Sequence, residues 1–153
     1  MLIKEASEES CRDFLARASF GRLGCSLNDQ PYIVPVCFAY EANYIYVFST
    51  FGKKIEIMRA NPRVCVQTDE FANQLQWISV IASGLYEELP EITFAAERRR
   101  ARQLLEKRNL WWVNALAVRR AKTSDEFVAP LFFRIHVLSV SGLSALAEQD
   151  DAA

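Results

Sequence analysis

Two hydroxyls and two cations, closely spaced after a run of aromatic and β-branched residues, are the side chains in this chain best suited to chemistry: Ser49, Thr50, Lys53 and Lys54. They lie in Tyr44-Ile-Tyr-Val-Phe-Ser-Thr-Phe-Gly-Lys-Lys-Ile-Glu-Ile-Met-Arg-Ala-Asn-Pro62. Residues 44–48 suit a pleated, mostly buried strand. Phe51, Ile55 and Met58 then share a face at helical spacing, and Asn61-Pro62 ends that helix. Ser49 and Thr50 are expected as its caps, with Gly52 leaving the turn uncrowded. A helix N-terminus offers unpaired N–H groups and the positive end of a dipole. Hydroxyl donors and two lysines beside it make a site for an anion, and the chemistry wanted is that of a phosphate. Taken alone, such residues are more often plain caps and solvated lysines. The Gly-rich consensus of a nucleoside triphosphate loop is missing, which argues against ATP or GTP.

The elements that must position these residues are mostly strands. Ser7 caps a first helix over 7–18, with Cys11, Phe14, Leu15 and Ala18 on its buried face. A strand follows over 20–27, then turn chemistry at Asn28-Asp-Gln-Pro31 and a nearly continuous apolar strand over 32–40. Pro35 within it cannot donate to a ladder, so it marks an edge, a bulge or an interruption. Residues 41–43 make a short hairpin into the strand at Tyr44. Over 63–70, Val64, Val66 and Thr68 alternate with Cys65 and Gln67, and residues 71–74 read as a polar loop. Over 75–89, Trp77, Ser79, Ile81 and Ser83 alternate with Ile78, Val80 and Ala82, and Gly84 marks a bulge or bend. A helical insertion spans about 91–120: a charged helix over 91–108, then a more apolar one over 111–118. A strand over 130–140 closes the series, and the tail after Ser144 is expected to fray. Short hairpin links around one helical insertion favour a six-stranded antiparallel barrel, mainly β with peripheral helices, in a single domain over 1–153.

Bulk composition narrows the functional classes. The chain has 153 residues, 51% hydrophobic and 24% charged, with a net charge of −1, so nothing marks a general nucleic-acid or membrane binder. The four cysteines, Cys11, Cys25, Cys37 and Cys65, show no C-x-x-C spacing, and the single histidine leaves no metal-ligand cluster. Reduced thiols in a cytoplasm are the simplest reading. Met1-Leu-Ile-Lys-Glu5 shows no apolar core of signal-peptide length, and no run approaches the ~20 apolar residues of a membrane helix.

Three pieces, in this order, resemble the FMN-binding split β-barrels related to pyridoxamine 5′-phosphate oxidase. They are Pro31-Tyr-Ile-Val-Pro-Val-Cys-Phe-Ala-Tyr40; Tyr44 to Lys54 with Asn61-Pro-Arg-Val64; and Trp77-Ile-Ser-Val80 with Gly84. The closing Phe133-Arg-Ile135 is similar to the family's final strand. The resemblance implies a homodimer holding two flavins between subunits, with FMN as cofactor. It implies that Ser49, Thr50, Lys53 and Lys54 hold the FMN phosphate, that Val36, Cys37 and Phe38 lie along the isoalloxazine ring, and that Ser79 approaches the ring or ribityl chain. Trp77, Trp111 and Trp112 are candidates to cover the flavin from the partner, against the alternative of core or dimer packing.

One departure stands out. Vitamin B6 oxidases of this kind are expected to carry a basic residue at the end of the second strand, where this chain has Val36-Cys-Phe-Ala39. Arg134-Ile-His136 mimics their Arg-x-His motif, but its apolar flanks resemble the general last strand. The function implied is a flavin-dependent oxidoreductase acting on a small molecule, as in the nitroimidazole-reductase branch, with NAD(P)H a candidate donor. The alternatives are a non-enzymatic flavin module and the same fold carrying haem or deazaflavin. Arg98-Arg-Arg-Ala-Arg102 would suit a deazaflavin's acidic tail, or simply a solvated face pairing with Glu97 and Glu106.

Overall fold

Eight strands pair into one continuous antiparallel sheet, with buried and exposed side chains alternating most cleanly over 20–25 and 63–68. The computed structural model describes residues 2–108 and 130–146. The elements are β1 (Leu2–Glu5), α1 (Glu8–Arg17), β2 (Phe20–Leu27), β3 (Gln30–Cys37), β4 (Ala39–Glu41), β5 (Tyr44–Thr50), α2 (Lys53–Ala60), β6 (Arg63–Asn73), β7 (Gln76–Glu88), α3 (Ala95–Glu106) and β8 (Pro130–Leu146). Strand order is β3-β2-β6-β7-β8-β5-β4, with β1 paired to the far end of β8. The two terminal strands of that order, β3 and β4, are separated only by Phe38, so the chain turning there closes the sheet into a barrel. Pro35 accordingly lies on β3, paired only to β2, where its missing N–H faces no ladder.

Two tight hairpins set the register at one end. Asn28 and Asp29 join β2 to β3, and Ala42 and Asn43 join β4 to β5, all four at positive φ as a type I′ turn requires. Inside the barrel, Leu23, Val66, Val80, Ala82, Phe133 and Ile135 meet Ile55 and Met58 of α2 and Phe14 and Leu15 of α1. A second cluster lies under α3, where Ala101 and Leu105 cover Tyr46, Ala39 and Phe132. Ser7 caps α1 as expected, its Oγ accepting from the Ser10 amide at 3.1 Å. At Gly84 the β7–β8 register shifts, and a Cβ there would lie 2.0 Å from the His136 carbonyl oxygen. Only glycine admits so close a backbone approach.

Several expectations need correction. The strands number eight rather than six, because Leu2–Glu5 adds one and the 32–40 run breaks at Phe38. Residues 71–73 are strand, paired against Gln76 and Trp77 across an irregularity, not a loop. The sheet continues past Ser144 to Leu146, with Ala145 buried between Ile3 and Trp77. Phe51 is half exposed under the Arg59 guanidinium and does not share the buried face of α2, which is formed by Ile55, Ile57 and Met58. The 111–118 helix, the 121–129 loop, Trp111 and Trp112 fall outside the described residues. No helix among the described residues is long and apolar enough to cross a membrane.

Candidate functional site

The strand at Tyr44 keeps its pairing with β8 through Thr50, opposite Pro130. Ser49 and Thr50 are therefore extended backbone and not helix caps, which corrects the expected geometry. Ser49 is nearly buried and its Oγ bonds the Thr50 carbonyl at 3.0 Å. Gly52 is the residue that precedes α2, and no side chain caps the helix. The Ile55 and Glu56 amides bond the Gly52 carbonyl at 3.1 and 3.2 Å, whereas among the described residues nothing accepts from the Lys53 and Lys54 amides that open the helix.

The two lysines diverge. Lys53 is exposed, its Nζ 5.2 Å from the centre of the Tyr32 ring on β3. Lys54 turns inward and lines a cleft of about 210 Å³ with Phe20, Pro35, Val36, Cys37, Val47, Phe48 and Leu105. No carboxylate among the described residues pairs with Lys54. Burial pushes its ammonium below the usual lysine range, only partly offset by the neighbouring Cys25. A partly buried cation with no anion beside it, next to an uncapped helix start, is an anion site in physical terms.

Of the other expected site residues, Val36 and Cys37 line this cleft with Lys54, while Phe38 is wholly buried in the barrel core. Ser79 and Trp77 do not reach it. They line a separate groove of about 650 Å³ on the outer face of β7 and β8, with Ile81, Val140 and Leu143. Between cleft and groove runs a polar ledge that the strand pattern did not single out: Arg22 on β2, then Gln67 and Asp69 on β6. Alternation alone puts all three outward, but only the β2–β6 pairing brings them together, and that pairing joins strands some 45 residues apart.

Arg134 and His136 share a face as expected, yet neither lines a described cleft. Arg134 bonds Glu87 at 2.9 Å and stands 4.0 Å from the Tyr44 ring centre. His136, opposite Tyr44 in the strand pair, stacks on the same ring with 5.1 Å between centres. Arg134 also lies 5.8 Å from the centre of the Phe94 ring, which precedes α3, while His136 is exposed. The arginine run divides similarly: Arg100 reaches Glu41 on β4, Arg102 pairs with Glu106 at 3.3 Å, and Arg98 lies over Phe132.

A clamp holds the cation-bearing helix in place. Arg59 of α2 is ion-paired with Glu88 of β7, and the Tyr86 hydroxyl donates to the same carboxylate at 2.7 Å. Arg59 holds the Glu88 carboxyl below the usual range, and burial beside that carboxylate pushes the Tyr86 phenol up. Asn61, just past the same end of the helix, adds a second tie through its Nδ2, which donates to the Ser26 carbonyl at 2.9 Å. Glu88→Gln is expected to lower stability by about 1 kcal/mol, the ion pair being partly solvated. Urea unfolding checks this, and the loss should vanish as pH falls through the depressed Glu88 titration, where the wild type loses the same pair.

Comparison with known proteins adds the family. The chain is 38% identical over 148 residues to a protein of Rhizobium meliloti (strain 1021), covering 96% of this chain and 98% of that one. It is similar to a crystal structure described as an FAD-binding protein from Mesorhizobium loti, at 40% identity and TM-score 0.79, covering 95% of this chain and 99% of that one. A 5-nitroimidazole antibiotic resistance protein of Bacteroides thetaiotaomicron shares the fold at 20% identity and TM-score 0.64, over 94% of this chain and 89% of its own. The family model for pyridoxamine 5′-phosphate oxidase matches residues 7–144, nearly all of the described barrel, and the chain belongs to that family.

Proposed function

We propose that this protein binds a flavin, with the phosphate end seated at Lys54 and the start of α2. The observation that carries the reading is the partly buried Lys54, paired with no carboxylate among the described residues, in a cleft beside a helix start with no side-chain cap. The cleft's volume suits a phosphate and part of a ribityl chain, which leaves the ring to lie outward along β3 and β2. Val36 and Cys37 border that path; Ser49 and Thr50 are not among the lining residues but directly follow Val47 and Phe48, which are, at the end of β5. FMN is the proposed cofactor, because a terminal phosphate carries nearly two charges near neutral pH and two lysines stand at one helix end. FAD is the second reading, favoured by the name of the Mesorhizobium loti relative.

The outer sheet face supports a homodimer. Ile33, Leu138, Leu143, Ile81 and Leu85 are all exposed across β3, β7 and β8, on a face with two broad grooves. A second copy of the chain is the proposed cover, and it would enclose Trp77 and Ser79 together with the outward flavin ring. When bound, the flavin would supply hydride or electron chemistry, and the described residues bind and orient it. The proposed activity is oxidoreduction of a small molecule with NAD(P)H as donor in the cytoplasm; the family's name, an oxidase, supports the reaction type.

Titrating the apoprotein with FMN, FAD and riboflavin, with light scattering on the loaded sample, tests this. Expected are one flavin per subunit in a dimer and FMN tighter than riboflavin by the phosphate contribution. FMN affinity should also fall in alkali. A bound phosphate favours charged Lys54, so affinity is full below the lysine's depressed pKa and declines as pH rises through it. Lys54→Arg should remove that decline. Equal affinity for FMN and riboflavin would sink the phosphate assignment. Anaerobic bleaching of bound flavin by NADH or NADPH separates an oxidoreductase from a storage module.

A further inference from the structure

The polar ledge between cleft and groove has a hydrogen-bonding order of its own. Arg22 Nη1 bonds Asp69 Oδ2 at 3.1 Å and Gln67 Oε1 at 3.4 Å. Gln67 Nε2 donates to Asp69 Oδ2 at 2.8 Å and to Ser79 Oγ at 3.1 Å. Arg22 pairs with Gln67 across β2 and β6, and Asp69 pairs with Ser79 across β6 and β7, so the four project from one face. Gly21 allows this tightness, since a Cβ there would lie 2.4 Å from the Gln67 carbonyl oxygen.

The network satisfies only part of each group. Among the described residues, Arg22 keeps Nε and Nη2 unused, Asp69 keeps Oδ1, and the Ser79 hydroxyl accepts a bond while its own proton remains available. Read across the strands, the ledge offers donor, acceptor, donor. It also adjoins the cleft, because Arg22 lies opposite Pro35 and its guanidinium is 5.4 Å from the Phe20 ring, both cleft-lining residues.

We infer that Arg22, Asp69 and Ser79 form a specificity site for the acceptor–donor–acceptor edge of a planar heteroaromatic ring, which in a flavin is the C2 carbonyl, N3–H and C4 carbonyl. The inference rests on the flavin reading and adds what selects the ring. Gln67 is a positioning residue: bonded to both Asp69 and Ser79, it fixes their separation. Arg22 and Asp69 are each about two-fifths exposed, so both are accessible to a ligand. The unused Asp69 oxygen is the one acceptor in the row, so a ring nitrogen without a hydrogen cannot satisfy it.

The test compares FMN with N3-methyl-FMN, which keeps the phosphate and removes the ring donor. The wild-type protein is expected to bind FMN about tenfold or more tightly than the methylated analogue. Asp69→Ala should weaken FMN and bring the ratio near one while leaving affinity for the analogue unchanged. A merely structural Asp69 would weaken both ligands alike. Tight FMN binding with a wild-type ratio near one, or a ratio that survives Asp69→Ala, overturns the inference and leaves the flavin reading intact. No binding of either flavin overturns both.

Discussion

Replacing Lys53 and Lys54 together by alanine is expected to weaken FMN binding about a hundredfold, with Lys54→Ala alone responsible for most of the loss. Each charge-assisted contact to a phosphate contributes about 1.5–3 kcal/mol when partly desolvated, and Lys54 is the desolvated one. Lys53 is exposed over Tyr32 and adds less through a solvated approach. The readout is quenching of flavin fluorescence on titration, with riboflavin as control. Riboflavin affinity should barely move, because the lysines address the phosphate and not the ring. If the double variant binds FMN as tightly as wild type, the anion belongs elsewhere and the cleft at Lys54 is ordinary surface. Removing Lys54 also relieves a charge held against its desolvation cost. The apoprotein should therefore be no less stable than wild type, and lost affinity cannot be laid to unfolding.

Gly84→Ala is expected to destabilise the barrel by about 3 kcal/mol, among the largest effects available to one methyl group here. The added Cβ would meet the His136 carbonyl oxygen at 2.0 Å and its carbon at 2.8 Å, both backbone atoms that cannot rotate away. Relief requires separating β7 from β8 at the register shift, where the longest strand pairing in the protein is already irregular. The melting temperature should drop by roughly 6–12 °C. Gly52→Ala provides the contrast: nothing lies within 4 Å of a Cβ there and the backbone is extended, so only a small change is expected. A Gly84→Ala variant as stable as wild type would mean that β7 and β8 accommodate the methyl by sliding.

These two positions also show where sequence reading works and where it stops. Gly84 stood out because a glycine inside an alternating strand has few reasons to be there, and the bulge is at that point. Val64 to Thr68 were legible by a period of two with one face buried, and Tyr44 to Phe48 by an unbroken run of aromatic and β-branched residues, which is mostly buried. Lys53 and Lys54 opened α2 as their spacing suggested. Ser49 and Thr50 misled because capping chemistry is local, whereas their extended backbone is set by Leu131 and Pro130 of β8. β1 was invisible for a related reason. Its four residues are all exposed, and they become a strand only through pairing with residues 143–146. The Arg22–Asp69–Ser79 row is the same case at the site itself: three outward polar residues on three strands, neighbours only after the sheet has assembled.

The position of β8 in the strand order bears on how the chain is made. It pairs with β1, β5 and β7, strands that all precede it in sequence. A chain emerging from the ribosome therefore presents β5 and β7 with open edges until residues 130–146 follow. During that interval Phe133, Ile135 and Val137 are missing from the interior, and the earlier strands cannot enclose it. Hairpins β2–β3, β4–β5 and β6–β7 can form as they appear, since each is local. Closure of the barrel thus waits for β8, and the cleft at Lys54, lined in part by β5, takes its shape only after that closure.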